Sequence, residues 1–136
     1  MDFTTAVKTV FRKYVDFSSR APRAEFWYFQ LFILVVEAVL IALSAASSGR
    51  EVSPISILVS ILLALFGLGI LLPALAVQVR RLHDIDKSGW WMFIQLVPLV
   101  GGIILLVFLC RKSTDGANRF GPNPYGQDQR VVEAFR

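Results

Sequence analysis

The chain has 136 residues, of which 55% are hydrophobic and 18% charged, with a net charge of +4 and a mean hydropathy of +0.60. A single small domain in water has too much surface for its volume to hide so much apolar material, so an ordinary soluble fold is excluded and lipid is indicated as the solvent. The cations flank apolar blocks instead of forming a basic stripe with exposed aromatics, which favours anionic lipid headgroups as partners and excludes nucleic acid.

Residues 1–25 predict an amphipathic interfacial segment. From Met1 to Asp16, Phe3, Ala6, Val7, Val10, Phe11, Tyr14 and Val15 recur at helical spacing, while Thr4, Lys8, Arg12 and Lys13 fill the other face. Such a helix suits the plane of a membrane interface. Arg20, Pro22, Arg23, Glu25, Trp27 and Tyr28 then mark the start of a span. Proline is tolerated in a first helical turn, an acid is favourable near the positive helix end, and arginines and aromatics gather at the headgroup level.

The first span is read over residues 26–48. Ser44, Ala45 and Ala46 imitate a cleavage site, but the polar lead with Asp2, Asp16 and Glu25 is far longer than the n-region of a signal peptide, so this span is read as uncleaved. After a minimal turn the second span covers residues 52–79, with Pro73 as a kink site. Residues 80–89 form a basic, water-facing cytoplasmic turn. The third span covers residues 90–110, with Pro98 and Gly101-Gly102 in its middle. Residues 111–136 are a polar, turn-rich tail, expected to lie on the headgroups and then run loose. The fold class is therefore an all-α membrane protein: three transmembrane helices, an amphipathic helix before them and a polar tail after them.

Orientation follows from the cations near the spans. Lys8, Arg12, Lys13, Arg20, Arg23, Arg80, Arg81 and Lys87 share one side if there are three spans, which favours a cytoplasmic N-terminus. Arg111, Lys112 and Arg119 then fall on the opposite side with Arg50 and weaken the bias. A third segment bent at Pro98 and Gly101-Gly102 would put every basic cluster inside, but its broken backbone would need burial in protein or contact with water. The length of the run favours a single crossing.

Three blocks resemble a known family: Arg12-Lys13-Tyr14-Val15-Asp16-Phe17-Ser18-Ser19-Arg20-Ala21-Pro22-Arg23-Ala24-Glu25-Phe26-Trp27, then Arg81-Leu82-His83-Asp84 with Ser88-Gly89-Trp90-Trp91, then Gly116-Ala117-Asn118-Arg119-Phe120-Gly121-Pro122-Asn123-Pro124. Their order and spacing are similar to those of the bacterial "domain of unknown function 805" family, small multi-pass proteins of the inner membrane. The resemblance covers nearly the whole chain and departs at Ser19, where the family usually has glycine. It implies a bacterial cytoplasmic-membrane protein and no particular reaction.

Polar and small residues form a stripe on each span. Gln30, Glu37 and Ser44 repeat every seven residues on the first. Ser53, Ser56, Ser60, Ala64, Gly67, Ala74 and Gln78 follow on the second, and Gln95, Pro98 and Gly102 on the third. Helices in lipid associate through small residues and hydrogen bonds, so these stripes predict the bundle interior, with Gln30 level with Gln78 and Ser44 with Ser60. Glu37 falls near mid-membrane, where a carboxylate is costly unless paired, protonated or wetted. It is expected to donate a hydrogen bond within the bundle, with proton relay or cation binding as the functional alternative.

Arg20, Arg23, Arg80, Arg81 and Lys87 are candidate contacts for anionic headgroups. His83, Asp84 and Asp86 make a weak metal pattern. A turn lock in which Asp84 and Asp86 pair with Arg20 or Arg23 is the plainer use. Cys110 stands alone, so no disulfide, cysteine-based metal site or cofactor is expected. There is no phosphate-cradling glycine loop, nucleophile elbow or catalytic carboxylate pair. The reading is a non-enzymatic inner-membrane protein that touches anionic lipid or a partner protein, working as a homo-oligomer. The alternative is a small transporter or channel component using Glu37.

Overall fold

A computed structural model describes residues 1–47, 49 and 52–126. Its helices are α1 (Phe3–Arg12), α2 (Arg23–Ser47), α3 (Pro54–Asp84), a 3-10 helix (Gly89–Leu96) and α4 (Val100–Cys110). The loose end predicted for the tail lies at 127–136, outside the described residues.

Asp2 caps α1 by accepting from the Thr5 amide at 2.7 Å. Ala6, Thr9 and Val10 form its buried face. Phe3 meets the Tyr28 ring edge-on, and Phe11 does the same with Phe29 and Phe32, so α1 lies against the first half of α2. The helix is shorter than the Met1–Asp16 periodicity predicts, because residues 13–15 leave it as a turn.

At about 1.5 Å per residue, the 25 residues of α2 and the 31 of α3 each exceed the ~30 Å of a bilayer's hydrocarbon core. Ser53 caps α3 and Pro54 occupies its first turn. Pro73 leaves α3 unbroken. Proline has no N–H to offer the carbonyl four residues back, so Gly69 loses its helical donor. The Tyr14 hydroxyl donates to that same Gly69 oxygen, which ties the end of α1 to mid-α3.

Two expectations about the helices need correction. First, α3 does not stop at residue 79. It runs on to Asp84, so the connecting turn is only residues 85–88, and Arg80, Arg81 and Asp84 project from a rigid helix. Asp86 closes that turn with φ of 58°, a left-handed position that aspartate tolerates.

Second, residues 90–110 are not one rod. The 3-10 helix and α4 are separated at Val97–Leu99, with Leu99 at φ 63°. The Trp91 ring meets Phe108 edge-on at 5.5 Å, and a Cβ on Gly101 would sit 1.6 Å from the Ile94 carbonyl oxygen. The two limbs therefore lie side by side as a hairpin. Proline bars the helical conformation from the residue before it, and Pro98 does this to Val97. The glycine at 101 lets the returning limb touch the outgoing backbone. The limbs, of 8 and 11 residues, are each about 16 Å long, half the thickness of the hydrocarbon.

The register of α2 against α3 also differs from the expectation. Phe32 faces Phe66 at 6.2 Å, and Ser53 donates to the Ser47 carbonyl at 3.5 Å. Gln30 is thus level with about Leu68 rather than Gln78, and Ser44 with Ser56 rather than Ser60. The covered positions along α3 are apolar, among them Val59, Leu63, Phe66, Ile70 and Val77, and Phe66 meets Phe32 of α2. Ser60, Ala64 and Gly67 are exposed, as are Glu37 and Gln95, while Gln30, Ser44 and Gln78 are half-buried. Ser60, Ala64 and Gly67 of the small-residue stripe thus face outward, while Ser53, Ser56, Ala74 and Gln78 are half-buried.

The hydrophobic core is Val10, Ala21, Phe26, Phe29, Ile70, Val77, Leu82, Leu105 and Leu109. It lies beside the charged end of α3. Beyond it the apolar stretches of α2 and α3 are almost bare: 6% and 11% of their most hydrophobic windows are buried.

Candidate functional site

The C-terminal turn of α3 carries Arg80, Arg81 and Asp84, and each is fully buried. The Asp84 carboxylate accepts from Arg20 Nε at 3.0 Å, from Arg81 Nη1 and from the Ser113 hydroxyl. Hydrogen bonds to ionised groups are the strong ones, and a buried carboxylate requires several of them.

Arg20 leaves the loop before α2 and reaches both the end of α3 and the tail. Besides Asp84 it donates to the carbonyls of Asp84, Thr114, Gly116 and Gly121, at 3.2, 3.0, 2.9 and 3.3 Å. A guanidinium has five donors in a fixed fork, so one arginine can bind a helix end and two turns of the tail together. The last carbonyls of α3 also carry the negative end of its dipole, which favours a cation there. The Ala21 amide bonds to the Arg80 carbonyl at 3.0 Å and fixes the same loop to α3.

Arg81 turns the other way. Its Nε donates to the Leu109 carbonyl at 3.0 Å and its Nη2 to the Arg111 carbonyl. Carbonyls at a helix end lack intrahelical donors, so Arg81 finishes α4 and brings its end back to the end of α3. Arg80 pairs with Glu25 in the first turn of α2. Its Nε and Nη2 have no hydrogen-bond partner among the described residues.

The tail closes over this cluster. The Thr114 amide donates to the Asp84 carbonyl at 2.9 Å, and Asn118 Nδ2 donates to the His83 carbonyl at 2.9 Å. The Phe120 ring stacks flat on His83 at 3.8 Å, and His83 Nδ1 lies 3.2 Å from the Ser19 carbonyl. Left-handed backbone at Gly116 (φ 64°) and Gly121 (φ 130°) makes the tight turns that aim these groups.

Asp16 shapes the loop that carries Arg20. Its carboxylate accepts from the amides and hydroxyls of Ser18 and Ser19. Partial burial raises its pKa, but the Ser19 hydroxyl and the two serine amides lower it more, holding Asp16 well below the usual carboxylate range. Ser19 does not adopt a left-handed backbone, so glycine is not required there and the serine hydroxyl contributes a bond.

The candidate headgroup residues fall into different settings. Arg20, Arg80 and Arg81 are buried among protein partners. Arg23 is exposed and donates to the Cys110 carbonyl at 3.4 Å, not to Asp84. Lys87 Nζ lies 5.5 Å from the Trp91 and Phe108 ring centres. Asp86 pairs with Arg119 at 3.4 Å rather than with Arg20 or Arg23. Of the carboxylates, Asp84 meets Arg20. Glu25, Ser113, Thr114 and Asn118 belong to the cluster without any local signal, since their partners are 29 to 55 residues away in sequence or are backbone atoms of a distant turn. Among the described residues no group of three His, Cys, Asp or Glu side chains could hold a metal ion. Chemically the cluster is a clasp joining the N-terminal loop, α2, α3, α4 and the tail at one end of the molecule.

The clasp residues lie within the part of this chain that a family model matches. The chain is 41% identical over 115 residues to the inner membrane protein YhaH of Escherichia coli K12, covering 85% of this chain and 92% of the relative. It is 42% identical over 116 residues to the inner membrane protein YhaI of the same strain, with the same coverage of each. No solved structure matches. The model of a family described as "Protein of unknown function (DUF805)" matches residues 14–122, from the end of α1 through the tail that closes the clasp. These matches place the molecule among inner-membrane proteins, and the chain belongs to the DUF805 family.

Proposed function

We propose that the chain is a non-enzymatic inner-membrane protein that crosses the bilayer twice, dips a hairpin halfway into it, and presents a basic cytoplasmic face to anionic lipid. The observation that carries this reading is the reach of Arg20, which joins the N-terminal loop, the end of α3 and the tail at one end of the molecule. The re-entrant alternative thereby replaces the third crossing. Lys8, Arg12, Lys13, Arg23, Lys87, Arg111, Lys112 and Arg119 then share one side, and Arg50 alone lies in the link at the other. The cation bias, ambiguous for three spans, becomes one-sided and favours a cytoplasmic N-terminus.

With Arg20, Arg80 and Arg81 withdrawn into the clasp, the headgroup contacts fall to Arg12, Lys13, Arg23 and Lys87. Each cation near an anionic surface contributes about 1 kcal/mol. Trp27, Tyr28, Trp90 and Trp91 lie within a few residues of that end and suit the interfacial belt.

Fusion reporters test the topology. A C-terminal fluorescent protein should glow, and alkaline phosphatase inserted at Gly49 should be active. Active phosphatase at the C-terminus would restore a third crossing. Lipid retained in nanodiscs of mixed charge tests the face. Replacing Arg12, Lys13, Arg23 and Lys87 with glutamine should lower the share of anionic lipid, and an unchanged share would end the lipid reading. The transporter alternative is favoured by the carboxylate of Glu37 in mid-α2, but two helices and a half-depth hairpin cannot enclose a path without further copies.

A further inference from the structure

A cleft of about 800 Å³ is lined by α1, the loop that follows it, the first turn of α2 and the tail. Clefts that hold small ligands run from about 300 to 1,000 Å³. From α1 come Thr5, Thr9, Arg12 and Lys13, spaced so that they share one helix face. The opposite face of α1 is taken up by α2, through Phe3 and Phe11. The tail contributes residues between 116 and 126, with Phe120 and Pro122 as apolar surface. Arg20 and Glu25 of the clasp also line the cleft.

Two independent features make it a place for an anion. The first is at its open side, where Arg12 and Lys13 enter no ion pair among the described residues. The second lies behind it. Among the described residues the clasp buries three arginines, Arg20, Arg80 and Arg81, against two carboxylates, Glu25 and Asp84. Carbonyls at the ends of α3 and α4 answer Arg20 and Arg81. Nothing comparable answers Arg80, which is fully buried and whose Nε and Nη2 have no partner. Arg80 also pairs with Glu25, so the acid in the cleft wall is neutralised and does not repel an anion. A cleft backed by one sign of charge in a low-dielectric wall concentrates ions of the other sign.

The donors define the chemistry. Arg20 is saturated by Asp84 and by backbone carbonyls, so it supplies charge rather than new bonds. The Thr9 hydroxyl donates to the Thr5 carbonyl at 2.7 Å. The guanidinium of Arg12, the ammonium of Lys13 and the Thr5 hydroxyl remain. An arginine fork beside a lysine suits the several oxygens of a phosphate.

We propose that this cleft seats one phosphate group, carried by an anionic phospholipid or by a soluble phosphate ester. The site rests on the lipid reading of the basic face and narrows it. Arg12 and Lys13 hold the phosphate, whereas Arg23 and Lys87 do not line the cleft and add only general attraction. A bound phosphate joins α1 to the tail, so it stabilises the folded protein by mass action.

The test uses the full chain in nanodiscs of phosphatidylethanolamine with a minor share of phosphatidylglycerol. Native mass spectrometry counts the phosphatidylglycerol that stays bound. Arg12→Gln with Lys13→Gln should lower retention several-fold, and Arg23→Gln with Lys87→Gln should change it little. Thr5→Trp keeps every cation but fills the cleft from an exposed position, and it should lower retention as the first pair does. Glycerol phosphate, inorganic phosphate and phosphatidylglycerol are each added to the protein in neutral detergent to separate the sources. A melting temperature raised by phosphatidylglycerol alone assigns a lipid. A rise with glycerol phosphate that Thr5→Trp abolishes assigns a soluble ester. Full retention of phosphatidylglycerol by Thr5→Trp, with no rise from glycerol phosphate, overturns the cleft. If the two charge pairs then lose lipid equally, the broader lipid reading still stands. If retention is unchanged in every variant and no phosphate compound raises the melting temperature, both fall.

Discussion

The charged end and the apolar half of this molecule are held by different forces. At the charged end three arginines and two acids are buried together, and nearly every bond runs between segments distant in sequence. In the apolar half, α2 and α3 touch along one seam and leave most side chains bare. Position at the charged end depends on a few specific, directional bonds. In the apolar half, shape is set by helix length and the solvent, and single side chains matter little.

The sharpest way to break that contrast is Asp84→Ala. It strands Arg20 and Arg81 without their carboxylate, and leaving a buried charge unpaired costs about 3–5 kcal/mol. Unfolding in detergent should show that loss, with early proteolysis of the tail. The same measurement on Leu65→Ala, exposed in the apolar half, should change by less than about 0.5 kcal/mol. Exchanging Arg20 and Asp84 should recover part of the loss if the pair acts as a unit. Simple addition of the two single effects would show that the clasp is a set of separate contacts.

The hairpin joint comes next. A methyl group on Gly101 would overlap the Ile94 carbonyl, and overpacking costs about 1–3 kcal/mol. Gly101→Ala should therefore destabilise the protein and separate the limbs, reducing cross-linking between cysteines placed at Trp91 and Phe108. Gly102→Ala, with nothing within 4 Å, is the control and should be neutral or mildly stabilising. Equal behaviour of the two variants would mean that the limbs are not in contact.

A smaller effect lies where α1 meets α3. Tyr14→Phe removes the donor that answers the Gly69 carbonyl, a loss of about 1 kcal/mol. In a Pro73→Ala background, residue 73 regains its N–H and can serve Gly69 itself. Tyr14→Phe should then cost almost nothing. An identical cost in both backgrounds would detach the tyrosine from the proline.

These joints also show what the sequence could and could not reveal. Composition and run lengths were enough to read α2 and α3 as helices fit for lipid, because each is a long local pattern. The hairpin was visible in Pro98 and Gly101 only as an alternative: run length argued for a crossing, and the deciding contact, Gly101 against Ile94, is tertiary. Small residues mark close helix contacts in lipid without naming the partner, so the stripe at Ser60 and Ala64 predicts an interior position that the structure turns outward. The clasp was half legible. Asp84 and Arg20 stood out as charges beside apolar runs, yet Glu25 is 55 residues from Arg80, and the tail's contribution is largely through backbone carbonyls, which no side-chain pattern records.

The mildest perturbation is acid, acting at the rim of the clasp. Asp16 is ionised in the folded loop well below the usual carboxylate range, because the serine donors favour the charged form. A depressed folded pKa adds stability above the unfolded value, near 3.9, and that stability fades as pH falls through the folded value. The contribution of Asp16 to stability should thus be level from neutral pH to about pH 5 and decline from about pH 4 downward. Asp16→Asn, which cannot titrate, should flatten this part of the decline. Because Asp16 is partly open to water, solvent screens it and the global effect is the smallest of the series. The more telling readout is local: amide exchange at Ser18 and Ser19 should quicken in acid before the tail loosens. Quickening of the tail first would place the acid-sensitive joint at His83, whose pKa burial lowers and on which Phe120 of the tail stacks.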